Sequence, residues 1–182
     1  MNNNNYKLKY TIMKRTLSII SLFSILLTAC VGDPGPPGFD GQDALSAESF
    51  DTIVDFEYFD DSGLHETSIN LPFDLNDSEA VLVYRLEDIV NIDGLQTNAW
   101  SLLPQNFFLD DGNIIQYIFN HTFTDVELLI DGNFDLSTLD PVFTQNQRFR
   151  VVILPAVAIS SIDVSNINNV IETFKITEFK IF

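Results

Sequence analysis

Apolar and polar residues alternate along the chain after residue 46, and this period of two constrains the fold more than any other feature. Val54, Phe56 and Tyr58 are separated by Asp55 and Glu57. Because successive side chains of a strand point to opposite faces, this spacing places the three apolar residues on one face. Such a face must be buried against a second layer of structure. The pattern therefore predicts a layered β domain.

Further strands follow at short intervals. Apolar or alternating runs predict them at 54–58, 67–73, 81–87, 100–109, 113–123, 126–130 and 149–154. The continuously apolar run 81–87 is typical of a central strand. In the run 113–123, Ile115, Tyr117, Phe119 and Phe123 are predicted to share one face. Between two of the runs, the Asp111-Gly112 dipeptide predicts the turn of a hairpin, since tight hairpin turns need residues that accept positive φ.

Near the C-terminus the apolar spacing changes to three and four, which indicates one helix. Its apolar positions are Val164, Ile167, Val170, Ile171 and Phe174. Asp163 or Ser165 is placed to cap its start, and a short strand at about 176–182 is predicted to close a sheet. The predicted fold is mostly β, an antiparallel β-sandwich-like domain with one C-terminal helix. The alternative is an α+β fold, an antiparallel sheet with the helix on one face.

The N-terminal segment looks like an export signal. Lys14 and Arg15 precede an apolar run, 16–29, that is too short to cross a bilayer. The run ends in Leu27-Thr28-Ala29-Cys30, which resembles the lipobox of bacterial lipoproteins. That resemblance implies cleavage after Ala29 and a lipid such as palmitate on Cys30, the only cysteine of the chain. A start at Met13 would give a more compact signal than a start at Met1, and both remain open.

A collagen-like segment follows the lipobox. Residues 32–43 form four Gly-X-Y triplets that contain three prolines. Collagen requires glycine at every third position, but four triplets offer too few interchain hydrogen bonds to order three chains. We therefore expect a stiff, solvated spacer. At about 3.1 Å per residue, an extended segment 31–45 would reach roughly 45 Å.

A lipobox, a short collagen-like leader and an acidic β-rich domain together resemble a group of small lipoproteins of Gram-negative bacteria. The resemblance implies three regions: a signal peptide at 1–29, the lipidated cysteine and tether at 30–45, and one globular domain at 46–182. Lipoproteins kept in the inner membrane carry an acidic residue after the cysteine, whereas this chain has Val31. The resemblance thus favours the outer membrane, with the domain facing the periplasm or the cell surface. It supplies no catalytic or binding residues.

The predicted mature chain is strongly acidic. All 26 acidic residues follow Cys30 with only five basic ones, a formal charge of −21. The five are Arg85, Arg148, Arg150, Lys175 and Lys180. This charge excludes nucleic acid as a partner, because phosphates must be neutralised by cations. Self-repulsion favours a monomer. The expected partners are the membrane, through the lipid on Cys30, and an envelope protein or a glycan.

Few residues suggest chemistry. His65 and His121 lie far apart, outside any zinc-binding spacing, and each is expected on the surface of a sheet. Neither a nucleophile elbow nor a glycine-rich phosphate loop occurs in the sequence. Asp131, Asn133 and Asp135 match the opening of a calcium loop, but Leu136 replaces the following glycine, so this is a weak calcium candidate. A turn with surface acids is the favoured interpretation.

These features predict a non-enzymatic, membrane-anchored surface binding or structural module of the cell envelope. No catalytic residue, metal or cofactor is assigned. The alternative is a glycan-binding accessory protein or a carbohydrate-active enzyme. That alternative requires an exposed aromatic platform, for which Trp100 is the first candidate, or two close carboxylates in a cleft.

Overall fold

The computed structural model describes residues 46–177 and 180–181. The predicted signal peptide, the lipobox Leu27–Cys30 and the collagen-like tether lie outside the described residues. In chain order the strands are β1 (Glu48–Val54), β2 (Glu57–Phe59), β3 (Leu64–Asn70), β4 (Glu79–Ile92), β5 (Leu95–Leu102), β6 (Gln105–Phe108), β7 (Ile114–His121), β8 (Asp125–Gly132), β9 (Gln147–Pro155) and β10 (Lys180–Ile181). One α-helix, α1 (Ile167–Phe174), follows β9.

The strands form two five-stranded sheets. The first sheet has the order β10-β1-β9-β4-β5, and the second has the order β2-β3-β8-β7-β6. Neighbouring strands are antiparallel except β10, which pairs with β1 in parallel. The predicted class, a mostly β sandwich-like domain with one C-terminal helix, is confirmed.

Alternate residues of both sheets meet in the main core. From the first sheet come Phe50, Val81, Val83, Phe149, Val151 and Ile153, and from the second come Ile69, Ile115, Tyr117, Val126, Leu128 and Ile130. Phe56 lies at the centre, with its ring 5.9 Å from Tyr117 and 6.0 Å from Phe149 in edge-on geometry. Such aromatic pairs add about 0.5–1.5 kcal/mol beyond the burial of their area. The alternation seen in the sequence therefore reflects packing between the two sheets.

The helix α1 forms a third layer on the outer face of the first sheet. Ile167, Val170 and Phe174 pack with residues of β4 and β9, among them Tyr84 and Val152. The α+β alternative predicted a helix packed on one face of a sheet. Such a helix is present, but the sheet on which it packs is also one of the two sheets of the sandwich. The predicted cap is wrong, because Asn166 caps the helix by accepting the Asn168 N–H at 3.0 Å. The two residues predicted to cap it bind each other instead, since Asp163 accepts the Ser165 N–H in the preceding turn.

Two of the predicted strands divide between the sheets. The run 54–58 breaks at Asp55-Phe56, so that β1 belongs to the first sheet and β2 to the second. The run 100–109 breaks at a cis Leu103–Pro104 peptide in the same way, between β5 and β6. A chain that changes sheet at a sandwich corner keeps its alternate side chains in the core. The periodicity therefore continues across each break, and sequence alone shows one strand.

The hairpin predicted at Asp111-Gly112 exists, because β6 pairs with β7 from Phe108 and Ile114 onward. Its turn differs from the prediction. It is a 3-10 turn over Asp110–Gly112, with Gly112 at φ +79°, which is a three-residue turn rather than a two-residue one. Phe123, predicted to share a face with Tyr117, lies exposed beyond the end of β7.

Candidate functional site

The hairpin formed by β4 and β5 extends beyond the sheet to which it belongs. Strand β9 pairs with β4 as far as Arg85, opposite Phe149. Beyond that point, in the described part of the chain, residue 86 and residues 88–92 pair with β5 alone, and Glu87 lies in a bulge between them. Asp93 and Gly94, at φ 53° and 87°, form a two-residue turn of the type favoured in hairpins. Residues 86–100 therefore form a two-stranded ribbon, called the outer ribbon below.

The outer ribbon exposes apolar side chains. Ile92 and Leu95 face each other next to the turn and are 55% and 71% exposed. Strand β5 alternates without interruption, so Leu95 and Thr97 lie on the face opposite Trp100, which contacts the layer of α1. They therefore lie on the face of the first sheet that is directed toward the core. At this place the described part of the second sheet leaves Leu95 largely uncovered. Full burial of such a side chain is worth about 1.5–3 kcal/mol.

The edge of the outer ribbon is also open. The other edge strands as described are short, with β10 comprising two residues, β2 three and β6 four, whereas β5 has eight. Proteins protect exposed edges with short strands, lysine or proline. The sequence of β5, Leu-Gln-Thr-Asn-Ala-Trp-Ser-Leu, contains neither a charged residue nor proline. Among the described residues, β5 pairs with no strand on its outer side. Its outer backbone edge therefore has no strand partner there, although α1 also lies beside β5.

The outer ribbon is acidic. Glu87, Asp88 and Asp93 are exposed on it. Between Arg85 and Arg148 the sequence contains no lysine or arginine. The ribbon thus combines an apolar tip, an unprotected strand edge and negative charge.

A buried ion cluster anchors the base of the ribbon. Asp51 of β1, 1% exposed, accepts hydrogen bonds from Arg150 Nε at 2.6 Å and Nη2 at 3.0 Å, and from Arg148 Nη2 at 2.8 Å. The guanidinium carbon of Arg150 lies 4.5 Å from the centre of the Trp100 ring. This bidentate pair and cation–π contact join β1, β9 and β5. Trp100 therefore packs against arginine, which accounts for it without the sugar-stacking role of the alternative function.

On the inner side of the same sheet, Arg85 is buried between aromatic rings. Its Nε and Nη2 donate to Gln147 Oε1 at 3.1 and 2.6 Å, and its guanidinium carbon lies 4.6 Å from the centre of the Tyr117 ring. The Tyr117 hydroxyl donates to the Phe143 carbonyl at 2.5 Å. Burial raises the pKa of Tyr117 to about 12, and the charge of Arg85 opposes this rise. Arg85 thus has a packing role at the foot of the ribbon.

Of the two histidines, one departs from its predicted place. His65 was expected on the sheet surface but is buried, with Nε2 2.8 Å from the Leu136 carbonyl oxygen and its ring 5.3 Å from that of Tyr58. The surface prediction is wrong because His65 lies on the inward side of β3, in step with Ile69. His121 is exposed at the end of β7, as predicted.

The side chains of the three weak calcium candidates each form hydrogen bonds with main-chain groups close to them. Asp131 accepts the Gly132 N–H, and Asn133 accepts the Ile114 N–H while donating to the Gly112 carbonyl. Asp135 accepts the Ser137 N–H and hydroxyl, which lowers the pKa of its carboxyl group. Across the described residues, no three His, Cys, Asp or Glu side chains are grouped to hold a metal ion. These three side chains have local roles in shaping turns.

Carboxylates also gather on the outer face of the second sheet. Asp55, Glu57, Glu66 and Glu127 surround a shallow depression of about 390 Å³. Glu57 and Glu66 stand opposite each other on β2 and β3, an arrangement of like charges that is destabilising unless both are well solvated. The depression is open to solvent and is an acidic face rather than a cleft.

Comparison of the chain with known proteins identifies no relative. No family model, curated protein or solved structure matches the chain. In the described residues, no helix has the length and apolar character needed to span a bilayer.

The outer ribbon is the feature that sequence reasoning missed. The signal was present in Asn91-Ile92-Asp93-Gly94-Leu95, an Asp-Gly pair between apolar residues. The predicted strand ends with the continuous apolar run at residue 87 and therefore does not reach this turn.

Proposed function

We propose that this protein is a non-enzymatic binding module of the Gram-negative cell envelope. A lipid on Cys30 holds it in the outer membrane, and the globular domain presents the outer ribbon to a partner. One observation carries the binding role: Ile92 and Leu95 are exposed at the end of a ribbon whose long edge strand, β5, carries no protecting residue.

The anchoring half of the proposal is supported by the sequence. The basic and apolar segments precede Leu27–Cys30 in the order of a lipoprotein signal, and the spacer that follows separates the domain from the lipid. A chain of charge −21 would not adsorb to anionic lipid by itself, so the lipid on Cys30 supplies the attachment. The same charge favours a monomeric domain.

Labelling with palmitate in a Gram-negative host tests the anchor. Cys30→Ala is expected to abolish incorporation of the label, because no other thiol is present to accept a lipid. The domain should then appear as unprocessed precursor or in the soluble fraction. Val31→Ala is the matched control, which keeps the cysteine and should stay labelled and membrane-bound. Label that persists in Cys30→Ala would refute the lipoprotein assignment.

A further inference from the structure

We infer that the open edge of β5 binds an extended, positively charged segment of another protein, which adds a strand to the first sheet. This inference rests on the proposed binding role and specifies the class of partner. Strand addition suits a site of this kind, because main-chain hydrogen bonds supply affinity and alternate side chains supply selectivity.

The backbone of β5 meets the geometric requirement. A strand pairing along Leu95–Leu102 would extend the order β10-β1-β9-β4-β5 by one member. On one face its side chains would lie beside Leu95 and Thr97, where they would cover apolar surface that is exposed at present. Isolated two-stranded ribbons are marginal in water, and a third strand stabilises them. Binding would therefore also stabilise the ribbon.

Charge decides which kind of strand fits. The outer ribbon carries Glu87, which accepts a hydrogen bond from Gln105, and Asp88 and Asp93. It has no basic residue of its own, and the two arginines that lie against Trp100 are both paired with Asp51, so the carboxylates outnumber the cations. A lysine- or arginine-bearing segment would be attracted, whereas an acidic segment would be repelled. A second copy of this chain carries the same acidic ribbon and the same charge of −21. Edge-to-edge pairing of two copies is therefore opposed by electrostatics, and the partner is a different, cationic chain.

A synthetic peptide of alternating lysine and valine, as long as β5, serves as the probe. The mature lipidated protein is held in phosphatidylcholine nanodiscs. Peptide binding is measured by titration and its location by hydrogen exchange. We expect the peptide to slow amide exchange in residues 95–102 and to leave the edge strands β2 and β6 unchanged.

Two control peptides separate strand pairing from general attraction. A glutamate–valine peptide retains the ability to pair but reverses the charge, and a lysine–valine peptide methylated on every backbone nitrogen retains the charge but has no N–H donors. Both are expected to bind at least about tenfold more weakly, a difference of about 1.4 kcal/mol. Equal binding of the N-methylated peptide would overturn strand addition, and equal binding of the glutamate–valine peptide would overturn the cationic partner.

Variants of unchanged charge locate the contact. Ile92→Ser combined with Leu95→Ser should weaken the lysine–valine peptide at least about tenfold, since apolar contact at the tip is lost. Val142→Ser combined with Val157→Ser is the matched control, because both valines are exposed and lie outside the ribbon. Nuclear Overhauser contacts between Val90 and Thr97 verify that the ribbon persists in the first variant.

Two results would refute this inference while leaving the anchor intact. One is undiminished binding to the Ile92→Ser, Leu95→Ser variant. The other is self-association of the unliganded protein in sedimentation that disappears in that variant, which would identify a second copy as the occupant. Palmitate label that persists in Cys30→Ala would instead refute the lipid anchor, and the peptide-binding measurements would still be valid.

Discussion

Asp51 shows how a single carboxylate connects distant parts of this chain. It is buried in β1 and receives hydrogen bonds from Arg148 and Arg150, almost a hundred residues later in the sequence. A buried carboxylate is tolerated only when cations and hydrogen bonds replace its water. Arg150 in turn packs on Trp100. The cluster therefore depends on Asp51, the carboxylate that both arginines share.

Asp51→Ala is expected to lower the free energy of unfolding by about 3–5 kcal/mol, because it removes the buried carboxylate that accepts from both Arg148 and Arg150. Urea denaturation of the variant and the parent protein measures the difference. Asp88→Ala, at an exposed position of the outer ribbon, is the matched control and should change stability by no more than about 0.5 kcal/mol. Equal effects of the two substitutions would show that the buried cluster is not needed for stability.

Turns determine how the strands of this molecule are connected. Gly112 ends the 3-10 turn between β6 and β7 with φ +79°, and a Cβ atom built there meets nothing within 4 Å. Any penalty for a side chain at this position therefore comes from the backbone conformation and not from a clash. The left-handed region disfavours L-residues by about 1–2 kcal/mol, with asparagine the mildest case.

Gly112→Val is expected to destabilise the domain by about 1–2 kcal/mol or slightly more, since a β-branched side chain is least suited to positive φ. Gly112→Asn should retain most of the stability, because asparagine tolerates this conformation. Thermal denaturation of both variants compares them directly. If the midpoint of Gly112→Val equalled that of the parent, the turn would not have the conformation described here.

At the scale of the whole molecule, two apolar layers each enclose a tyrosine. Tyr117 lies between the two sheets, and Tyr84 lies between the first sheet and α1, where its hydroxyl donates to the Val164 carbonyl at 2.6 Å. Burial raises the pKa of Tyr84, and the nearby charge of Asp163 raises it further. In both cases the folded protein disfavours the phenolate. Each layer is therefore sensitive to high pH.

The free energy of unfolding should fall as the pH rises from about 10 to about 12. The unfolded tyrosine ionises near pH 10, whereas Tyr117 ionises in the folded protein only at about 12. Its contribution is fully present below pH 10 and is lost as pH rises towards the folded pKa, by at most about 1.4 kcal/mol per pH unit for each tyrosine. Urea titrations across this range measure the slope. Tyr117→Phe should flatten it, and an unchanged slope would contradict the assignment.

The sequence by itself determined most of the local structure. Alternation and apolar runs located at least parts of β3, β4 and β6 to β9, the change of spacing located α1, and Asp111-Gly112 marked the hairpin of β6 and β7, because each of these signals depends on neighbours within a few residues. The strand prediction does not cover most of β1 or the first half of β5. The lipobox and the tether, which also depend on local residues, stay predictions. The excess of acidic over basic residues was likewise readable from composition alone.

Only the tertiary structure decided which strands pair and which side chains are covered. The sequence predicts one strand at 54–58 and another at 100–109, while the structure divides each between two sheets. Strand order also decides that β5 is an edge and that β9 stops short of the ribbon, which leaves Ile92 and Leu95 exposed. The burial of His65 and Asp51 has the same origin. Alternation in the sequence assigns each side chain to one of the two faces of a strand. Whether another layer covers that face depends on the packing of residues that are distant in sequence.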